Sequence, residues 1–376
     1  MNEFLTGSLS FLIAFLVIPA VMRVAQEKKL FDLPDARKLH TKQISSLGGV
    51  GIFIGFMLST LLCISLQENP EFQYVYAAAL ILFFLGIKDD IMVLSASKKF
   101  LGQILVAVII VHLAGIRIDS MHGFLGIGKL PVPVANLLTY FAIIVIVNAF
   151  NLIDGIDGLS SSLGILTTAV FGTYFAMAHM PAYAILSFGL MGALSAFLVY
   201  NYHPAKIFMG DSGSLVLGLV NAVLVIKFIS SAEPMHGNLH IESAVAIGFS
   251  ILIVPLFDTL RVFGVRILHG RSPFSPDRNH VHHLLLARGL NHSQVTLICL
   301  LTNAFFIVAA YTFRSIGTSF LLFSMLIFSF FAIEMLKFHK KRRAAVSSKP
   351  SFQHSSAKPV AKIVSLNSEE AVMVEQ

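Results

Sequence analysis

Six aspartates stand out for the company they keep. Asp89 and Asp90 follow Lys88 directly, Asp154 and Asp157 each precede a glycine, Asp211 lies in a Gly-Asp-Ser-Gly string, and Asp277 sits between Pro276 and Arg278. Carboxylates gathered at one place repel each other unless a cation lies between them. Oxygen donors with no cysteine among them favour Mg²⁺, with Mn²⁺ as the second choice, over zinc. A lone aspartate at the end of an apolar run is explained as a helix cap. Six acids from four distant segments, all at the same ends of apolar runs, point instead to a metal-dependent site.

The surroundings narrow the chemistry. In Asn151-Leu152-Ile153-Asp154-Gly155-Ile156-Asp157-Gly158-Leu159 the second Asp-Gly pair opens an apolar run, where free helix N–H groups accept a phosphate or nucleotide. The string Phe208-Met209-Gly210-Asp211-Ser212-Gly213-Ser214 has the same placement. It lacks the G-x-S-x-G pattern of serine hydrolases and suits metal–diphosphate binding better. The third cluster runs Ser272-Pro273-Phe274-Ser275-Pro276-Asp277-Arg278-Asn279-His280-Val281-His282-His283. Its three imidazoles and two flanking arginines, Arg271 and Arg278, serve either zinc or a diphosphate, and a diphosphate fits the neighbouring acids better. Lys98 and Lys99 open the run after the Asp pair, and the stretch Asp32–His40 followed by Gly48-Gly49 adds a basic wall. His112 and His179 read as packing or surface residues.

These residues must be carried by membrane-spanning helices. Hydrophobic residues make up 56% of the 376 and charged residues 12%, too little charge to clothe a soluble fold. Apolar runs at 4–22, 47–66, 74–87, 100–116, 132–150, 159–178, 182–200, 214–230, 243–267, 293–313 and 317–337 predict an all-α polytopic membrane protein of about 11 transmembrane helices. Twenty-three of the 27 Lys and Arg residues fall on one side of that alternation, and only Arg117, Lys129, Lys227 and Arg314 on the other. Basic loops stay in the cytoplasm, so the N-terminus is expected outside and the C-terminus, with all the acid motifs, inside. The net charge of +7 then reflects orientation, and no nucleic-acid partner is expected. Residues 1–337 form the membrane catalytic domain and 338–376 a basic, disordered cytoplasmic tail in this reading. The first run has no basic lead and no cleavage site, so it is a span rather than a removed signal. Cys63 and Cys299 lie inside apolar runs and serve packing. The glycine-rich stretch Arg117–Lys129 predicts an outside hairpin or loop.

Taken together, Lys88-Asp89-Asp90, the 151–159 string, the 208–214 string and the 272–283 string resemble the polyprenyl-phosphate N-acetylhexosamine-1-phosphate transferases, in matching order from about Asp32 to Gly289. The form of the histidine motif is similar to the WecA/TagO branch, which uses UDP-GlcNAc. The resemblance implies transfer of a sugar 1-phosphate from a UDP-sugar to undecaprenyl phosphate with Mg²⁺ and release of UMP, at the cytoplasmic face of the plasma (inner) membrane. It implies catalytic roles for Asp89, Asp90, Asp154 and Asp157, and a metal at Asp211 with Asp89 or Asp90. Substrate would be bound by Lys99, Asn151, Asn201, Phe208, Arg278, His280, His282 and His283. Two positions depart from the family pattern: Val93 stands where many members of the branch carry a third acid, and Gln43-Ile44-Ser45-Ser46 replaces a proline-rich approach to Gly48-Gly49. A homodimer is compatible with this layout, and the polymer served, whether O-antigen, teichoic acid or another glycan, is left open.

Other readings would need different residues. Another UDP-N-acetylhexosamine could be the donor of the same reaction. A CDP-alcohol phosphotransferase would need an Ala-Arg pair soon after Asp-Gly, whereas Leu159-Ser160-Ser161-Ser162 follows here. An ion-coupled transporter would place its acids near the bilayer midplane, not at one interface.

Overall fold

The computed structural model describes residues 2–28, 30, 44–232, 241–270 and 279–347. The basic stretch Asp32–His40, most of the 272–283 string including Asp277 and Arg278, and residues 348–376 lie outside the described residues. Close packing groups Met1–Lys337 as one unit.

Thirteen α-helices are described. In chain order they are α1 (Asn2–Glu27), α2 (Gly48–Cys63), α3 (Glu71–Ile91), α4 (Ala96–Val108, continued by a π turn over Ile109–Leu113), α5 (Val132–Ile153), α6 (Leu159–Met177), α7 (Pro181–Asn201), α8 (Gly210–Ala232), α9 (Ala244–Ile251), α10 (Ile253–Leu268), α11 (Val281–Leu286), α12 (His292–Thr312) and α13 (Thr318–Ser347). Each of the eleven apolar runs coincides with one of these helices or with the pair α9–α10. Among the described residues, eight helices are long and apolar enough to cross a membrane, nine if α9 and α10 count as one span. The difference from the expected count has a physical reason. Helix α2 is only 16 residues long, and α3 carries Glu71 at one end and Lys88, Asp89 and Asp90 at the other.

Helix α8 is the centre of the bundle. It is apolar on every side, as a fully enclosed helix must be, and 83% of its apolar window is buried, against 28% for α1 and 22% for α13. It packs against α3 and α5 most extensively and also touches α2, α6, α7 and α9. The outer helices expose apolar belts instead, for example Leu297, Leu301 and Phe305 on α12 and Phe320, Phe328 and Phe331 on α13. That is the surface a hydrocarbon environment selects.

Helices α9 and α10 meet at an 87° bend. Asn303 of α12, fully buried, spans the break: its amide donates to Ile251 O at 2.9 Å and its carbonyl accepts Val254 N–H at 3.1 Å. The helix ends freed by the bend are thereby satisfied, and the direction of α10 is set. The expected hairpin is present as β1 (Ser120–Phe124) paired antiparallel with β2 (Ile127–Lys129). Ser319 accepts a hydrogen bond from Leu125 N–H at 2.7 Å, which ties the hairpin to the start of α13.

Candidate active site

The C-terminal ends of α3, α5 and α7 and the N-terminal ends of α4, α6 and α8 come together at one end of the bundle. Alternating spans require this, and it is how motifs far apart in sequence become neighbours. At their meeting point Lys99 Nζ lies 2.5 Å from Asp89 Oδ2 and 2.6 Å from Asp211 Oδ2. Asp211 Oδ1 accepts from Asn151 Nδ2 at 2.9 Å, and the same amide reaches Ser214 Oγ at 2.9 Å. Asp89 Oδ1 accepts the Leu94 N–H at 2.6 Å, which closes the turn from α3 to α4.

Asp90 works differently. Its two oxygens accept the backbone N–H groups of Asp211 at 2.7 Å and Ser212 at 3.0 Å, so α8 is capped by a side chain from another helix. Gly210 makes this approach possible: its φ is +71°, and a Cβ there would collide with Ser46 O and come within 2.7 Å of Asp90 Oδ2. The loop 45–49 lines the other side of the 208–214 string. Phe208 N–H donates to Ser45 O at 2.9 Å, and Gly48 and Gly49 donate to Phe208 O at 2.9 Å and Met209 O at 2.8 Å.

Asp154 follows the last residue of α5 and accepts a hydrogen bond from Ser160 Oγ. It is half-buried. Loss of water around the carboxyl, reinforced by the charges of Asp211, Asp90 and Asp157, pushes it up to about 8. Asp157 turns a fully enclosed carboxylate toward His203 Nδ1 at 2.6 Å and His292 Nδ1 at 3.4 Å, and it also accepts the Ala205 N–H at 3.2 Å. Burial opposes ionisation there, but His292 and His203 outweigh it and hold the carboxyl well below the usual range. Asp157, His203 and His292 offer one ligand atom each, all within 4.8 Å of one another, a grouping able to hold a metal ion. Asn201 is buried and spends its amide on the backbone: Oδ1 accepts Gly158 N–H at 2.8 Å and Nδ2 donates to Ile207 O at 2.9 Å.

The histidine segment meets this site from α11. His282 is 1% exposed, and its ring lies against Gly155, where a Cβ would overlap Nε2. Burial pushes the His282 imidazole down to about 3. His280 and His282 rings are nearly parallel, 5.8 Å between centroids, and His283 lies next to His282 with centroids 4.3 Å apart.

Asp89, Asp90, Lys99, Asn151, Asp211 and the loop carrying Phe208 thus share one locus, with Asp154 beside it and His282 on its rim. Asp157 and Asn201 stand on the loop's far side, in contact with α7 and α12. Sequence reading passed over Asp258, Arg261, His203, His292 and Ser160. A usable signal existed for the first: an aspartate inside an apolar run is costly and rarely idle.

Donor chemistry at the locus is that of a hard divalent cation. Asp89 and Asp211 direct oxygens at a single point, held here by the Lys99 ammonium, and no sulfur or imidazole intrudes among the described contacts.

Comparison with known proteins agrees with the motifs. Residues 72–229 match the family model described as glycosyl transferase family 4. The chain is similar to the "Probable undecaprenyl-phosphate N-acetylglucosaminyl 1-phosphate transferase" of Bacillus subtilis (strain 168), 33% identical over 327 residues, covering 85% of this chain and 88% of that protein. It is also similar to the undecaprenyl-phosphate alpha-N-acetylglucosaminyl 1-phosphate transferase of Yersinia pestis, 30% identical over 78% of this chain and 79% of that protein. A decaprenyl-phosphate N-acetylglucosaminephosphotransferase of Mycobacterium tuberculosis (strain CDC 1551 / Oshkosh) is 31% identical over 78% of each chain.

Proposed function

The chain belongs to glycosyl transferase family 4, and from that premise we propose that it transfers N-acetylglucosamine 1-phosphate from UDP-GlcNAc to undecaprenyl phosphate. The products are the lipid diphosphate sugar and UMP. A phosphate oxygen of the lipid forms a bond to the sugar-bearing phosphorus, the bond from that phosphorus to the bridging oxygen breaks, and UMP leaves with the electron pair. The observation that carries the reading is the convergence of Asp89, Lys99, Asn151 and Asp211 from four helices on one point at the end of the bundle. Homology alone would not require that arrangement to be intact in this chain.

Phosphoryl transfer needs positioning and charge stabilisation more than covalent help. In our reading Asp211 and Asp89 would hold Mg²⁺, which would supply charge neutralisation at the diphosphate. Asp90 fixes the start of α8 and so the direction of Asp211. Lys99 moves from the carboxylates to a phosphate oxygen when substrate arrives. Asp154, whose carboxyl is pushed up by burial, is placed to hold or pass a proton beside the reacting phosphates. Asn151 orients Asp211, while Asn201, Phe208 and Asp157 shape the nucleotide side, and His280, His282 and His283 face the diphosphate; the family resemblance assigns Arg278 to substrate as well. The soluble donor and the lipid acceptor meet at the cytoplasmic face of the plasma membrane.

The test is UMP release by the purified protein given undecaprenyl phosphate, Mg²⁺ and in turn UDP-GlcNAc, UDP-GalNAc and UDP-MurNAc-pentapeptide. Turnover should be fastest with UDP-GlcNAc. No UMP from any of the three sinks the reading, and a faster second sugar reassigns the donor.

A further inference from the structure

The acids described so far leave one buried carboxylate unused. Asp258 lies in α10, 1% exposed, on a helix that packs against α5. Its Oδ2 is 2.8 Å from His280 Nδ1, and its Oδ1 accepts Val281 N–H at 3.0 Å and Arg261 Nη2 at 2.8 Å. The same Arg261 nitrogen donates to Asn279 O. One turn of α10 therefore grips three consecutive residues at the start of the histidine segment, every contact is a charged hydrogen bond, and the one to His280 is buried.

The grip has a direction. A carboxylate can only accept, so His280 keeps its proton on Nδ1 and is left with Nε2 as its second functional nitrogen. The parallel stacking of His280 on His282, and the seating of His282 on Gly155, carry that register to the loop bearing Asp154. Before α10, Asn303 holds the 87° bend and so the direction of the helix that carries Asp258.

We propose that Asp258 is a positioning residue for the transfer reaction: with Arg261 it fixes the tautomer and place of His280, and through His282 the distance between the histidine segment and the Asp154–Gly155 loop. This rests on the transferase reading above, in which the histidines face the donor diphosphate.

Asp258→Asn keeps the size of the side chain but offers one oxygen to three donors and sets an N–H₂ against one of them. Its kcat should fall about 10- to 100-fold, the range seen when the partner behind a functional histidine is removed, with KM for UDP-GlcNAc changed far less. The decisive measurement is a double-mutant cycle with His280→Gln. If Asp258 acts through His280, the double variant is no slower than His280→Gln alone. A merely structural Asp258 gives losses that multiply, and that result overturns the proposal, as does a wild-type kcat in Asp258→Asn. Asp258→Glu, which retains the charge but displaces it, runs through the same cycle if the Asn variant fails to fold. Absence of UMP from the unsubstituted protein removes the transferase reading and this proposal together, whereas turnover with multiplying losses removes this one alone.

Discussion

Lys99 Nζ stands 2.6 Å from Asp211 Oδ2, joining the first turn of α4 to the first turn of α8 across 112 residues of sequence. Asp89 completes the arrangement from α3. Two carboxylates and one ammonium, all less than a third exposed, form a set that stays balanced only while a cation remains between the acids.

Asp211→Asn removes the charge that the point is built around but keeps the oxygen that receives the Asn151 amide. UMP release should drop by about 100-fold or more, with thermal unfolding of the detergent-solubilised protein hardly changed. Near-normal turnover would show that the metal is held elsewhere.

Lys99→Gln leaves Asp89 and Asp211 facing each other without compensation. Its Tm should fall in chelator and recover on adding Mg²⁺ by more than the wild-type Tm rises, because the ion then fills the place of the ammonium. Equal Mg²⁺ shifts in both proteins would refute the shared position.

Gly210→Ala tests the tertiary cap on α8. The φ of +71° costs an L-residue roughly 1–2 kcal/mol, and the new methyl would press on Ser46 O and the Asp90 carboxylate. Denaturant titration should show a loss at least that large, together with lost activity, since Asp90 is pushed off the Asp211 and Ser212 N–H groups. An alanine variant as stable as the parent would contradict the cap.

Asp154→Asn separates activity from stability. The native carboxyl titrates at about 8, against an unfolded value near 3.8, so between those pH values the folded state binds more protons than the unfolded one. Stability due to this group is therefore lost as pH rises through that window. An asparagine is never ionised and still accepts from Ser160. The variant should be inactive yet more stable than the parent at pH 8, with the gap closing toward pH 4.

His282 gives the opposite slope. Its native value of about 3 lies below the 6.5 of the free imidazole, so the unfolded state binds the extra proton between pH 6.5 and 3. Stability falls on acidification across that window and is untouched above it. Replacement by Gln should flatten the acid limb of an unfolding curve, and an unchanged limb would mean that His282 takes up its proton in the folded protein.

Much of this was legible in the linear chain because its signals are local. Few charges, long apolar runs and basic residues on alternate loops suffice to predict helices across a membrane, and each run does coincide with a helix or the α9–α10 pair. The 151–159 and 208–214 strings announce themselves by glycines beside acids, and alternation places them at one end. The hairpin at β1–β2 follows from Gly123, Gly126 and Gly128 in the same way.

What each carboxylate does was not legible, because that depends on which partners the fold brings to it from other helices and loops, for Asp90 a helix start 121 residues on. Asp89 and Asp90 are adjacent and chemically identical, yet one faces Lys99 and the other caps α8. Asp154 and Asp157 share a five-residue loop and are driven to opposite ends of the carboxylate range, the first by burial among acids, the second by His203 and His292. Asp258 belongs to no string of polar residues and gains its meaning only when α10 turns at the bend and meets His280. Residue type and spacing specify which groups reach the end of the bundle; hydrogen bonding and desolvation, which act through space, assign the work among them.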